Sequence, residues 1–150
     1  MSEPEVGDPL SPERFQAFIE QHGYLSWLNL TVEAVGDGYV EMRIPHDEKL
    51  VNPFPEGFER VHGGIAATLV DTASGFALRT TFDDPTDANL TTTDLDVSYL
   101  RPASDDLVAT AEVVRAGGSM GVVDVTVESR KPSGERTEVA VGRASYRLFR

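Results

Sequence analysis

VHGGIAATLVDTASGFAL, residues 61 to 78, decides how the rest of the chain is read. It sets His62, Gly63 and Gly64 ahead of a run without proline in which Ile65, Leu69 and Phe76 recur at helical spacing. The spacing predicts a helix from Gly64 to about Thr81, ended by Asp83-Asp84-Pro85. On a helical wheel, Ile65, Leu69, Thr72 and Phe76 cluster on the side that should meet a sheet, while Asp71 falls elsewhere with Gly64, Ala67, Gly75 and Leu78. Mostly small residues around one acid suggest a face that another backbone or a ligand approaches.

Four alternating segments follow, at about 89 to 100, 105 to 116, 120 to 130 and 137 to 148, bounded by turn residues such as Pro102, Gly117-Gly118 and Pro132-Ser133-Gly134. Upstream, LVNPFPEGFER (50 to 60) holds two prolines and a glycine and reads as loop. A hairpin is expected before it: Leu28, Leu30, Val32 and Ala34 alternate with polar residues, Gly36-Asp37-Gly38 turns the chain, and Val40, Met42 and Ile44 alternate again. Ser11-Pro12-Glu13 reads as a capped start to a helix over 12 to 22, with Phe15, Phe18 and Ile19 on one face. The expected order is helix, two strands, long helix, four strands. One long helix beside six antiparallel strands must lie across the sheet to bury both apolar surfaces, which is an α+β arrangement. Residues 1 to 10 read as a flexible leader and 11 to 150 as a single domain.

The 150 residues hold no cysteine, which excludes disulfides, thiolate metal sites and a cysteine nucleophile. With 25 acids against 13 bases, a net charge of −12 repels phosphate backbones and anionic membranes, so neither nucleic acid nor a membrane is an expected partner. Lys49 and Lys131 are the only lysines, the other bases being arginines, a bias read as adaptation to high salt. The N-terminus lacks the basic start and apolar middle of a secretory signal, so a cytoplasmic location is expected. His22 and His46 have no partners at metal-ligand spacing, and no metal or separate cofactor is implied.

The chemistry of the helix follows from its two features. Glycines at 63 and 64 leave backbone N–H groups uncovered where the helix dipole is positive, a candidate oxyanion hole for a carbonyl gaining charge. Eight residues at ~1.5 Å rise place Asp71 roughly 12 Å further along the axis, too far for one chain to put both on one carbon. If they cooperate, the acid comes from a second copy of the helix, antiparallel across a twofold axis.

The HGG turn with an acid eight residues after its first glycine, together with VSYLRPA (97 to 103) and a strand pair turning at Gly117-Gly118, resembles the PaaI-like acyl-CoA thioesterases of the hotdog-fold superfamily. The likeness spans about residues 25 to 148. It implies a six-stranded antiparallel sheet wrapped around one long helix, assembled as a homodimer or homotetramer, that hydrolyses an acyl- or aryl-CoA to the free acid and coenzyme A. By motif position it assigns Asp71 as general base or nucleophile, Gly63 as the donor to the thioester carbonyl and His62 as the residue shaping the turn. The family asparagine falls to Asn52, across an apparent loop insertion that puts Glu56 at the usual spacing. Thr92 stands where relatives carry a hydroxyl that orients water; on its strand it shares a face with Asp94 and Asp96, as a solvated threonine would. Gly64, Tyr99, Arg101, Gly118 and Ser119 are the candidate substrate contacts, with Arg101, Arg115 and the Gly118-Ser119 turn to relieve the charge on coenzyme A, and Phe54, Phe58, Phe76, Leu78 and Tyr99 the candidate acyl lining. The alternatives are a hotdog hydratase or dehydratase using His62 and Asp71, and a non-catalytic acyl-CoA-binding module.

Overall fold

The structure, a computed structural model, describes residues 10–150, so all of the expected leader but Leu10 lies outside the described residues. Helix α1 (Pro12–Glu20) starts as read: the Ser11 hydroxyl accepts from the Arg14 N–H at 3.2 Å, and Pro12 fills the first helical position, where no N–H is needed. It ends two residues before the expected 22, and a second short helix, α2 (Gly23–Trp27), follows, capped by His22 Nδ1, which accepts from the Leu25 N–H at 3.3 Å. Leu28 closes α2 and Asn29 turns with a positive φ of 55°, so strand β1 (Thr31–Gly36) begins later than the alternation from Leu28 suggested. It pairs through the Gly36-Asp37-Gly38 turn with β2 (Tyr39–Ile44). The 50 to 60 segment is not loop throughout: β3 (Val51–Asn52) and β4 (Arg60–Val61) pair and pinch its base.

Helix α3 (Gly63–Arg79) is the long helix, and β5 (Asn89–Tyr99), β6 (Leu107–Ala116), β7 (Met120–Arg130) and β8 (Arg136–Phe149) match the four alternating segments to within a residue or two. Six strands form one antiparallel sheet in the order β1-β2-β6-β7-β8-β5, which wraps α3 as the hotdog resemblance implies. Leu69, Val70, Ala73, Ala77 and Leu78 of α3 are fully buried, in one core with Val40, Met42, Ala109, Ala111, Val123 and Ala144 of the sheet. Each buried Leu or Val contributes about 1.5–3 kcal/mol relative to leaving it in water.

The burial corrects the helical wheel. Ile65 and Thr72 are only half-buried, whereas Gly75 and Leu78, assigned to the open face, are enclosed. A flat sheet would have left one face of α3 uncovered; here the curled sheet and α1 cover it from more than one side. Phe76 meets α1, packing edge-on against Phe15 and Phe18 with ring centroids 5.2 and 5.8 Å away. Leu78 lies against Gly121, where a β-carbon would stand 2.5 Å from its Cδ2, so the strand needs glycine to come that close.

Strand β5 forms one edge of the sheet, pairing only with β8. An irregularity between Thr92 and Asp94 shifts its register, Thr92 facing Tyr146 and Asp94 facing Ser145, so Thr93 is the extra residue. The alternation of faces slips by one there. Thr92 joins buried Tyr146 and Leu148 on the helix side, while Asp94 and Asp96 point to the other face, contrary to the shared face expected from spacing.

Candidate active site

The mouth of α3 is shaped by three groups from three elements. His62 caps the helix with its ring: Nδ1 accepts from the Gly64 N–H at 2.8 Å, which leaves any neutral-ring proton on Nε2. Its own N–H donates to the Leu50 carbonyl at 2.8 Å, tying the turn to the segment before β3. Tyr99, at the end of β5, donates its hydroxyl to the Gly63 carbonyl at 2.6 Å, and a β-carbon on Gly63 would meet that ring at 3.2 Å. Of the two glycine N–H groups expected to be open, Gly64's is therefore spent on the cap. Gly63's has no hydrogen-bond partner among the described residues.

This N–H stands at a cleft of about 470 Å³ lined by Asn52, Arg60, His62, Gly63, Tyr99 and Arg101, with apolar walls from Val61, Ala66, Leu100, Leu107 and Val139. Asn52 thus lines the same cleft as His62 and Gly63, although it stands four residues before the usual position, which Glu56 occupies. A second cleft of about 280 Å³ shares Arg101 and adds Arg130 and Lys131. Four cations gather at this end of a chain whose net charge is −12. Among the described residues no carboxylate lines either cleft.

Asp71 stands apart, two turns along α3. The Thr92 hydroxyl donates to its Oδ1 at 2.7 Å, so Thr92, though exposed, is a partner of the acid. Tyr146 of β8 donates to the same Oδ1 at 2.6 Å and lies 2.6 Å from the Asp71 backbone carbonyl, its single proton serving both. Burial, and then the hydrogen bond to Asp71, push the Tyr146 phenol well above the usual tyrosine range, so it remains a donor. Oδ2 accepts no hydrogen bond among the described residues. Sequence reading missed Tyr146, one of several alternating residues on the last strand; the available signal was Gly75, a mid-helix glycine one turn after Asp71, which costs about 1 kcal/mol against alanine and so asks for a packing reason.

The remaining candidates divide. Gly64 is exposed beside the mouth without lining the cleft, and Tyr99 and Arg101 line it. Gly118 and Ser119 lie at the opposite end of α3: Gly121 touches Leu78, and Arg150 links the Gly117 carbonyl to that of Thr81. Arg115 lies there too, near Gly117, away from both clefts. Phe76 and Leu78 are core residues and do not line the cleft, whereas Phe54 and Phe58 are strongly exposed on the loop between β3 and β4. Among the described residues no helix is long and apolar enough to cross a membrane.

Comparison with known proteins supports the fold and gives the family. A Halobacterium salinarum protein named as a candidate esterase is 51% identical over 137 residues, 90% of each chain. The crystal structure of a thioesterase family protein from Silicibacter pomeroyi superposes with a TM-score of 0.80 at 25% identity, covering 91% of this chain and 96% of that one. The E. coli PaaI protein of the phenylacetic acid degradation operon, at 22% identity and a TM-score of 0.74 over 92% of both chains, shares the fold. Residues 58–134 match the family model described as the thioesterase superfamily, a span that takes in the capped turn, Asp71, Thr92 and Tyr99, and the chain belongs to that superfamily.

Proposed function

We propose that the protein hydrolyses the thioester of an acyl- or aryl-CoA, with each reaction centre assembled from two copies of the chain. The observation that carries this reading is the separation of donor from acid: among the described residues the cleft offers the free Gly63 N–H and no carboxylate, while Asp71 lies roughly 12 Å along the same helix. A second α3 packed antiparallel brings its Asp71 to the first copy's Gly63, and the same symmetry builds the second centre. The open edge of β5, eleven residues long, offers the place where two sheets can join.

In this reading the thioester carbonyl points at the Gly63 N–H, whose placement at a helix N-terminus stabilises the oxyanion as it forms. Asp71 of the other copy either removes a proton from water or attacks the carbonyl carbon directly; the C–S bond breaks, and coenzyme A leaves as the thiol. Asn52 and His62 flank the carbonyl, His62 by holding the turn. Arg101, with Arg60, Arg130 and Lys131, offers the anionic end of the carrier the local positive charge that the rest of the surface denies it. Leu78 is seven residues past Asp71, so antiparallel packing also carries the other copy's Gly118-Ser119 turn to about 10 Å beyond the mouth, where the carrier would leave the cleft.

The test is thiol release from short, medium, long and aromatic acyl-CoAs, wild type beside Asp71→Asn, in molar KCl. Release that depends on Asp71 supports the hydrolase. No release by folded, oligomeric protein overturns it and favours the binding module. The excess of acid belongs to the same proposal: an unfolding midpoint that rises with KCl supports adaptation to salt, and one that does not move overturns it.

A further inference from the structure

Tyr146 reaches Asp71 through a gap made for it. Gly75 lies one helical turn after Asp71, and a β-carbon there would stand 3.0 Å from the Tyr146 hydroxyl oxygen and 3.3 Å from two ring carbons. Any side chain at 75 would push the phenol away from the helix, and no other glycine of α3 after the mouth exposes its backbone in this way. The hydroxyl then sits 2.6 Å from both the carbonyl and the Oδ1 of Asp71. Tyr146 is 6% exposed, so its ring is fixed by the core rather than by solvent, and its register partner on β5 is Thr92, the other donor to Oδ1. The bulge at Thr93 is what brings that partner to the helix side.

Resting on the thioesterase reading, we propose that Tyr146 is a positioning residue that, with Gly75 making room, pins Oδ1 of Asp71 and leaves Oδ2 directed at the reacting carbon or its water. A carboxylate on a helix surface otherwise rotates about its two side-chain torsions. Two donors on one oxygen from adjacent strands stop that rotation and mark which oxygen is free to react. Asp71 is met by Thr92 from β5 and Tyr146 from β8; the charged group acting on the phenol besides Asp71 is Arg79, two turns further along α3, whose guanidinium also covers the Phe18 ring at 4.8 Å. The phenol contributes no proton to the reaction in this scheme. It acts through Asp71.

The experiment compares wild type, Tyr146→Phe, Gly75→Ala and the double variant. Tyr146→Phe is expected to lower kcat roughly 10- to 100-fold with KM unchanged, the loss of one hydrogen bond to a charged group in a step that follows binding. Gly75→Ala should give a smaller loss in kcat that disappears in the Phe background, because it acts on kcat through the hydroxyl's contact with Asp71, which that background has already lost. Independently of activity, the Tyr146 hydroxyl proton, identified by its absence in Tyr146→Phe, should appear in the proton NMR spectrum and move upfield in Asp71→Asn. An unchanged kcat in Tyr146→Phe, or full additivity of the two substitutions, overturns the positioning role while leaving the thioesterase intact. A hydroxyl proton indifferent to Asp71→Asn overturns the contact itself. Wild type that releases no thiol, with the proton shift present, overturns the hydrolase and with it any role of Tyr146 in hydrolysis.

Discussion

The mouth of α3 and its middle solve opposite problems. At the mouth, a cap spends the Gly64 N–H on His62 and, among the described residues, leaves the Gly63 N–H bare in a cleft rimmed by arginines and without an acid. Two turns on, Asp71 makes no ion pair among the described residues and is held by two hydroxyls from β5 and β8. One region is prepared to receive negative charge and the other to keep it. On the proposed mechanism, the difference teaches that donor and acid cannot meet within one copy, and that the acid is restrained while the donor is left open.

The largest effect should come from removing the charge that the middle keeps. Asp71→Asn preserves shape and is expected to cost at least ~100-fold in kcat, and more if the carboxylate attacks directly. Turnover within threefold of wild type would break the comparison at its base. Gly63→Val strikes the other side: its β-carbon meets the Tyr99 ring at 3.2 Å and bends the turn, with about 100-fold loss expected from a misplaced oxyanion donor. Mixing these two inactive proteins and letting subunits exchange then tests the pairing of regions. A mixed dimer has one centre with both wild-type halves, so equal mixing should recover about a quarter of wild-type activity. No recovery, with exchange demonstrated by mass spectrometry, would place both halves in one chain.

How much of this was legible in the sequence differs between the same two regions. The mouth was readable because its determinants are contiguous: His62, Gly63 and Gly64 are one capped turn, and the strand ending at Tyr99 closes over it. Even there, which glycine N–H is free depended on the side-chain cap, which spacing does not reveal. The middle was half readable. Asp71 stood out among small residues, but its partners come from residues 92 and 146, joined only by the β5–β8 register. A single extra residue at Thr93 reverses which side chains face the helix, so strict alternation assigned Thr92 to the wrong face. Gly75 and Leu78 were misplaced for a related reason: a helix wheel assumes one covered side, whereas α3 is enclosed by a curled sheet and α1.

Thr92→Val is a finer probe of the middle. It removes one donor to Oδ1 and keeps the other, so a loss of about threefold to tenfold in kcat is expected, smaller than for Tyr146→Phe because Thr92 is exposed and water can replace it. A larger loss from Thr92→Val than from Tyr146→Phe would reverse the ranking and make the strand edge, rather than the core, the main restraint on the acid.

The smallest effect separates the two uses of backbone at the mouth. His62→Ala deletes the acceptor for the Gly64 N–H, and loss of an N-cap typically costs ~1 kcal/mol, read as a lower denaturant midpoint. His62→Asn offers an oxygen in place of Nδ1 and should restore most of that stability, since asparagine is among the best N-caps. If capping is the whole role of His62, activity should follow stability in both variants, low in alanine and recovered in asparagine. If asparagine restores the midpoint but not kcat, the ring's Nε2, which the cap does not use, takes part in binding or chemistry. The mouth would then hold a side-chain donor as well as the backbone one, and its contrast with the middle would narrow to the absence of an acid.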